Sequence, residues 1–194
     1  LVNPLFSEIN TSEVLNQNYI SEMQIISGTY SAEYGNAMSG VINITSKEGG
    51  KSIRANVDAK STAFGFNQAS KDYNRNILWV NLSGPLIFDK TNFFVSGSYD
   101  DRDEYLPWGF RTENSIFAKI TDRHLNNVKF NVAINLSSGE RKNYSHDWKY
   151  IPDQYWYQPR TNSQLIQFGF THTIKQNIYH TLNLYYNAYH YDSG

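Results

Sequence analysis

An all-β fold, laid out as an antiparallel meander of the kind that closes into a membrane barrel, is what this sequence of 194 residues predicts. Three observations predict it. Apolar and polar residues alternate over seven separate segments, the period of a strand with two unlike faces. The links between those segments are short and long in turn. No apolar run approaches the roughly 20 residues that a transmembrane helix needs, so only strands could present an apolar surface to lipid.

The chain opens with glycine-rich punctuation. In "ISGTYSAEYGNAMSGVINITSKEGG", residues 26–50, Gly28, Gly35 and Gly40 stand where the backbone turns or is closely approached. After Gly40 the run "VINITSK" has the β-branched enrichment of a strand, buried through Val41, Ile42 and Ile44. Gly49 and Gly50 read as a hinge.

The seven alternating segments follow. In residues 52–61, Ile53, Ala55, Val57 and Ala59 share one face while Arg54, Asn56, Asp58 and Lys60 share the other. In residues 127–137, Val128, Phe130, Val132, Ile134 and Leu136 oppose Lys129, Asn131, Ala133 and Asn135. A helix cannot keep five apolar residues in that register. Weaker alternation predicts strands at 76–87, 92–100, 114–121, 163–174 and 179–191. The short links are 88–91, 122–126 and 175–178; the long ones are 62–75, 101–113 and 138–162. Barrels of bacterial outer membranes pair short periplasmic turns with long extracellular loops, so the first strand rises from the periplasm. Aromatics add a further expectation, because Tyr and Trp collect at the two membrane interfaces. Phe88, Phe93 and Phe94 flank a short turn, and Tyr185, Tyr186, Tyr189 and Tyr191 lie toward the end of the last strand.

Composition excludes several functions. A formal net charge of −1 offers no basic footprint for nucleic acid. The absence of cysteine removes disulfides and thiolate metal sites. His124, His146, His172, His180 and His190 lack the close spacing of a metal site, although His172 and His180 can face each other across the last hairpin. The run "DDRDE", Asp100 to Glu104, concentrates oxygen ligands and is a candidate calcium loop, against the alternative of a solvated acidic loop tip. No phosphate loop, nucleophile elbow or zinc-peptidase motif is present, so no catalytic residue is assigned. One loop looks recognitive: "HDWKYIPDQYWYQPR", residues 146–160, sets Trp148, Tyr150, Tyr155, Trp156 and Tyr157 beside Lys149, Asp153 and Arg160. Such aromatics offer large contact area at low entropic cost; alternatively they pack together to order a long excursion.

The stretch "YSAEYGNAMSGVINITSKEG" resembles the signature near the end of the plug domain in TonB-dependent outer-membrane receptors. Tyr34 and Gly35 match its Tyr-Gly turn, and Gly40, Val41, Ile42 and Asn43 match its Gly-Val-Ile-Asn strand. Ser46-Lys47 stands where Thr-Lys is usual. Upstream, "ISEMQIISG" at residues 20–28 resembles the preceding plug strand, with Met23, Ile25 and Gly28 in the places of its apolar residues and terminal glycine. The resemblance implies that residues 1–47 are the C-terminal part of a small mixed α/β plug. Residues 48–194 would then be the first seven strands of a large antiparallel transmembrane β-barrel. Similar receptors close about 22 strands around a plugged lumen, so the barrel strands of this chain, which begins at Leu1 inside the plug, are expected to be the N-terminal third of the barrel, with roughly two-thirds of it lying outside the chain.

The same resemblance implies a location in the outer membrane of a Gram-negative bacterium and energy-coupled uptake of a scarce nutrient such as a siderophore, glycan, peptide or vitamin. Its partners would be outer-membrane lipid, the nutrient ligand, and TonB with its inner-membrane energising complex, whose contact motif would precede Leu1. No cofactor, metal or covalent step is implied. Tyr34, Gly35, Gly40, Val41 and Asn43 would be plug architecture rather than a substrate site. The competing expectation is a secreted β-sandwich binding module that uses the aromatic loop. An apolar band outside the sheet, rather than between two sheets, separates the two.

Overall fold

The computed structural model describes residues 17–26, 41–62, 74–87, 90–151, 158–175 and 178–193, and within them the fold is all-β. A 3-10 turn at Gln17–Tyr19 leads into β1 (Ile20–Ile26), which pairs antiparallel with β2 (Val41–Ser46) as a separate two-stranded sheet. Seven further strands form one antiparallel sheet in sequential order: β3 (Arg54–Ser61), β4 (Arg75–Ile87), β5 (Thr91–Asp103), β6 (Phe110–Asp122), β7 (Val128–Lys142), β8 (Arg160–Lys175) and β9 (Ile178–Asp192). The sheet is open, with β3 and β9 at its two edges. Each expected strand is present, and the register carries the alternation across all seven.

Two adjacent residues show how completely the faces differ: Ile116 is 58 % exposed and Phe117 is 4 % exposed. Directly paired residues share a face, so the ladder Ala55, Leu82, Val95, Ala118, Ile134, Ile166, Tyr186 forms one apolar row across the whole sheet. The row Val57, Val80, Gly97, Ile116, Leu136 runs parallel to it. Leu78, Leu86, Ile120, Val132 and Leu184 extend this outer face, and they too are exposed. The inner face alternates with it and carries Asn81, Ser96, Phe117, Asn135 and Leu165 in one row. Against this inner face sits the small apolar core, where Tyr19 stacks on Phe117 at 4.3 Å between ring centroids, with Phe94 and Ala133 beside them. Ile53 and Val57 are exposed as expected for outward positions.

Three expectations need correction. Strands β5 to β8 run well past the apolar band, so the links expected at 101–113 and 138–162 shrink to 104–109 and 143–159. The extensions "DRD" at 101–103 and "SGERK" at 138–142 are polar on both faces and show no hydrophobic period. Cross-strand pairing holds them instead, helped by Arg75–Asp100 at 3.6 Å and Arg160–Glu140 at 3.2 Å. The 104–109 link therefore barely exceeds the short turn 123–127, and the sorting of links by length is weaker than the sequence predicts. Second, the tyrosines of β9 do not form one belt. Tyr186 lies on the outer face with Ile166, whereas Tyr185, Tyr189 and Tyr191 alternate onto the inner face, as does buried Phe94. The aromatic cluster that does form outside is Phe130 with Phe168 and Phe170, at 6.4 and 5.2 Å near the short-turn end.

Third, Gly49 is no hinge. A Cβ there would meet the Phe93 carbonyl oxygen at 2.2 Å, whereas one at Gly50 would meet nothing within 4 Å. Only glycine allows the chain leaving β2 to press so closely on the backbone of β5. Elsewhere the expected chemistry holds. Pro85, which has no N–H to donate, sits beside the register shift that ends β4, where a missing ladder bond is tolerated. Asn127 adopts φ 62° in the turn before β7, a conformation that asparagine accepts.

Candidate functional site

Two regions gather functional groups, one at the long-link end of the sheet and one on its inner face. At the long-link end, residues 104–109 close on themselves through Glu104 N–H donating to the Gly109 carbonyl at 2.9 Å. Trp108 holds φ 62°, a left-handed backbone that is strained for a bulky residue and marks a position held by its surroundings. This link surrounds an open cup of about 570 Å³ lined by Asp103 to Phe110. Tyr105 and Trp108 are exposed on it.

The neighbouring link turns through a 3-10 element, His146–Trp148, with Ile151 N–H donating to the Trp148 carbonyl at 3.0 Å. The Tyr144 hydroxyl bonds His146 Nδ1 at 3.1 Å, and Lys149 Nζ lies 4.5 Å over the Tyr150 ring. Pro107 and Trp108 from the first link line a crevice with Tyr144, Ser145 and Trp148 from the second. Of the aromatic residues singled out in the sequence, Trp148 is half-buried in this crevice and Tyr150 is exposed. Tyr155, Trp156 and Tyr157 lie outside the described residues. Sequence reading missed Tyr105 and Trp108. The turn signal "LPWG" was visible, but that this link would reach the next one was not.

The candidate calcium run is not a loop. Asp100 to Asp103 lie in β5, so Asp100 takes the face opposite to that of Asp101 and Asp103. Asp100 pairs with Arg75, Asp101 Oδ1 accepts from the Thr112 hydroxyl at 2.8 Å, and Asp103 accepts from the Asn74 N–H at 3.2 Å. Three carboxylates so dispersed cannot converge on one cation. Among the described residues, no group of three or more His, Asp or Glu could hold a metal ion. His172 and His180 do pair in register across the β8–β9 hairpin.

On the inner face the chain leaving β2 is bound by charge. Glu48 Oε1 receives Lys129 Nζ at 2.6 Å and Lys119 Nζ at 3.2 Å, and its Oε2 receives Arg123 at 2.5 Å. Burial pushes the Glu48 carboxyl up, but the hydrogen bond from Lys129 and the charges of Lys119 and Lys129 outweigh it and hold the pKa at about 2. The carboxylate therefore stays ionised. Lys119 Nζ also donates to Ser46 Oγ at 3.1 Å, Lys47 N–H donates to the Tyr19 carbonyl at 2.7 Å, and Lys47 Nζ reaches the Asn18 carbonyl at 2.8 Å. The remaining inner surface is rich in unpaired polar atoms. Oxygens of Asn81, Asn92, Asp100, Thr121 and Asn135, and Arg102 Nε, are buried without a protein partner. Such groups call for water or another polar occupant. Tyr34, Gly35 and Gly40 of the glycine-rich signature lie outside the described residues, while the backbones of Val41 and Asn43 form β2 opposite Ile26 and Gln24.

No protein-family model, curated protein or solved structure matches this chain. Among the described residues no helix is long and apolar enough to cross a membrane, which leaves strands out of account.

Proposed function

We propose that this chain is part of a TonB-dependent outer-membrane receptor, with β1 and β2 belonging to its plug and β3 to β9 to its barrel wall. The observation that carries the reading is the outer face: a continuous apolar band on a single sheet, with no second sheet over it among the described residues. On β7 the band runs over residues 128–136, within the roughly 9–11 residues that a tilted strand needs to cross a bilayer. Polar rows bound it, as an aqueous boundary requires: Asn76, Asp101, Thr112, Glu140, Arg160 and Asp192 lie in register beyond it. A sandwich would bury this band between sheets, whereas lipid covers it in a barrel. The unpaired polar atoms of the inner face suit a lumen filled by water and a plug.

In this reading the long-link end faces outward and captures a nutrient with Trp108, Trp148 and Tyr150, while TonB and its energising complex act on the plug from the periplasm. Import involves no covalent chemistry and no cofactor. These 194 residues contain no cysteine, so the topology is testable by single-cysteine labelling once any cysteine elsewhere in the protein is replaced. Cysteine introduced at Tyr105 should react with an impermeant maleimide on intact cells, and cysteine at Lys90 only after the outer membrane is permeabilised. Equal labelling of both sites in the culture medium would instead identify a secreted module. Uptake of the labelled nutrient should collapse when a protonophore dissipates the inner-membrane gradient.

A further inference from the structure

We propose that Glu48 is a latch that holds the β1–β2 pair against the sheet, closed by Lys119, Arg123 and Lys129 acting together. One carboxylate, in the segment that leaves β2, engages three cations on β6, on the turn after it and on β7. The cluster is unbalanced: without Glu48, three positive groups drawn within 3.2 Å of a common carboxylate would face one another. Like charges gathered around one vacated position repel when solvent is partly excluded, and the side chain of Lys119 is only 9 % exposed. Losing the one anion therefore turns an attraction into a repulsion, the behaviour of a switch rather than of a graded contact.

Among the described residues, further attachments lie on the same route. Lys119 links the latch to β2 through Ser46 Oγ, Gly49 presses on the Phe93 backbone, and Tyr19 stacks on Phe117. Within β1, Met23 and Ile25 remain exposed, so apolar burial along this strand adds little to the hold. The β1–β2 pair can thus separate from the wall as a unit, with Glu48 as the point of release, while the seven-stranded ladder stays intact.

The inference goes beyond the transport reading and does not depend on it, since it is tested on purified protein wherever that protein resides. Hydrogen exchange of the intact protein in detergent should show amides of residues 41–49 exchanging at least about tenfold faster in Glu48→Gln than in wild type, by opening of one local unit. Amides of β5 to β8 should keep wild-type rates. Arg123→Gln, which removes one arm only, should give a smaller increase in the same residues and covers the case in which Glu48→Gln does not fold. Unchanged exchange at 41–49, or acceleration spread evenly over β4 to β9, in whichever variant is recovered would overturn the latch.

Discussion

Gly49 and Gly50 are neighbours in sequence and opposites in structure. A methyl group at Gly49 would fall 2.2 Å from the Phe93 carbonyl oxygen and 2.8 Å from the Phe93 nitrogen, both backbone atoms of β5, while the space around Gly50 is open. Backbone in a paired strand cannot yield as a flexible side chain can. Gly49→Ala is therefore expected to destabilise the protein by about 1–3 kcal/mol, the usual cost of overpacking, and Gly50→Ala to leave it near wild type. Paired denaturation midpoints in detergent measure the difference; equal midpoints would mean that the close approach is not maintained. The same packing explains the neighbouring clamp, because the segment pressed on Phe93 delivers Glu48 to its three cations.

At the scale of the strand, what matters is which side of the ladder a residue takes. Ile134 on β7 and Gln167 on β8 are one rung apart, yet Ile134 lies in the outer apolar row beside Ile166, and Gln167 lies inside, paired with Ala133 and Tyr185. An arginine near the middle of a lipid-facing band costs about 2–4 kcal/mol, whereas lumen positions tolerate polar change. Ile134→Arg should therefore reduce the folded, membrane-assembled form, read as loss of the heat-modifiable band on an unboiled gel. Gln167→Arg should assemble as wild type. Equal assembly of the two variants would remove the distinction between the faces on which the membrane reading stands.

For the molecule as a whole, edges and faces act together. Strands β3 and β9 each have one neighbour in the sheet, and their free backbone groups are templates for pairing with other chains. Isoleucine, leucine and valine cover the outer face between those edges, far more apolar surface than a soluble monomer usually leaves uncovered. Residues 1–194 produced alone should therefore aggregate in plain buffer and be recovered only in detergent. A monodisperse monomer that unfolds cooperatively in water would favour the soluble sandwich instead.

The sequence by itself determined the strand number, the antiparallel order and the assignment of faces of the seven-stranded sheet, because a period of two is set locally by the pleat and repeats in every strand with one apolar face. Val128 to Leu136 could be placed with no knowledge of their neighbours. Where both sides of a strand are polar the signal disappears, so "DRD" at 101–103 and "SGERK" at 138–142 read as loop although pairing extends them as strand. Distance in sequence hid the rest. Glu48 meets Lys119 and Lys129 across sequence separations of 71 and 81 residues (119 − 48 and 129 − 48), and Trp108 and Trp148 line one crevice only because β6 and β7 are adjacent. Nothing in the local composition of either partner announces such meetings. Only the tertiary structure decided them, since charge and shape complementarity between distant segments exist only once register brings the segments together.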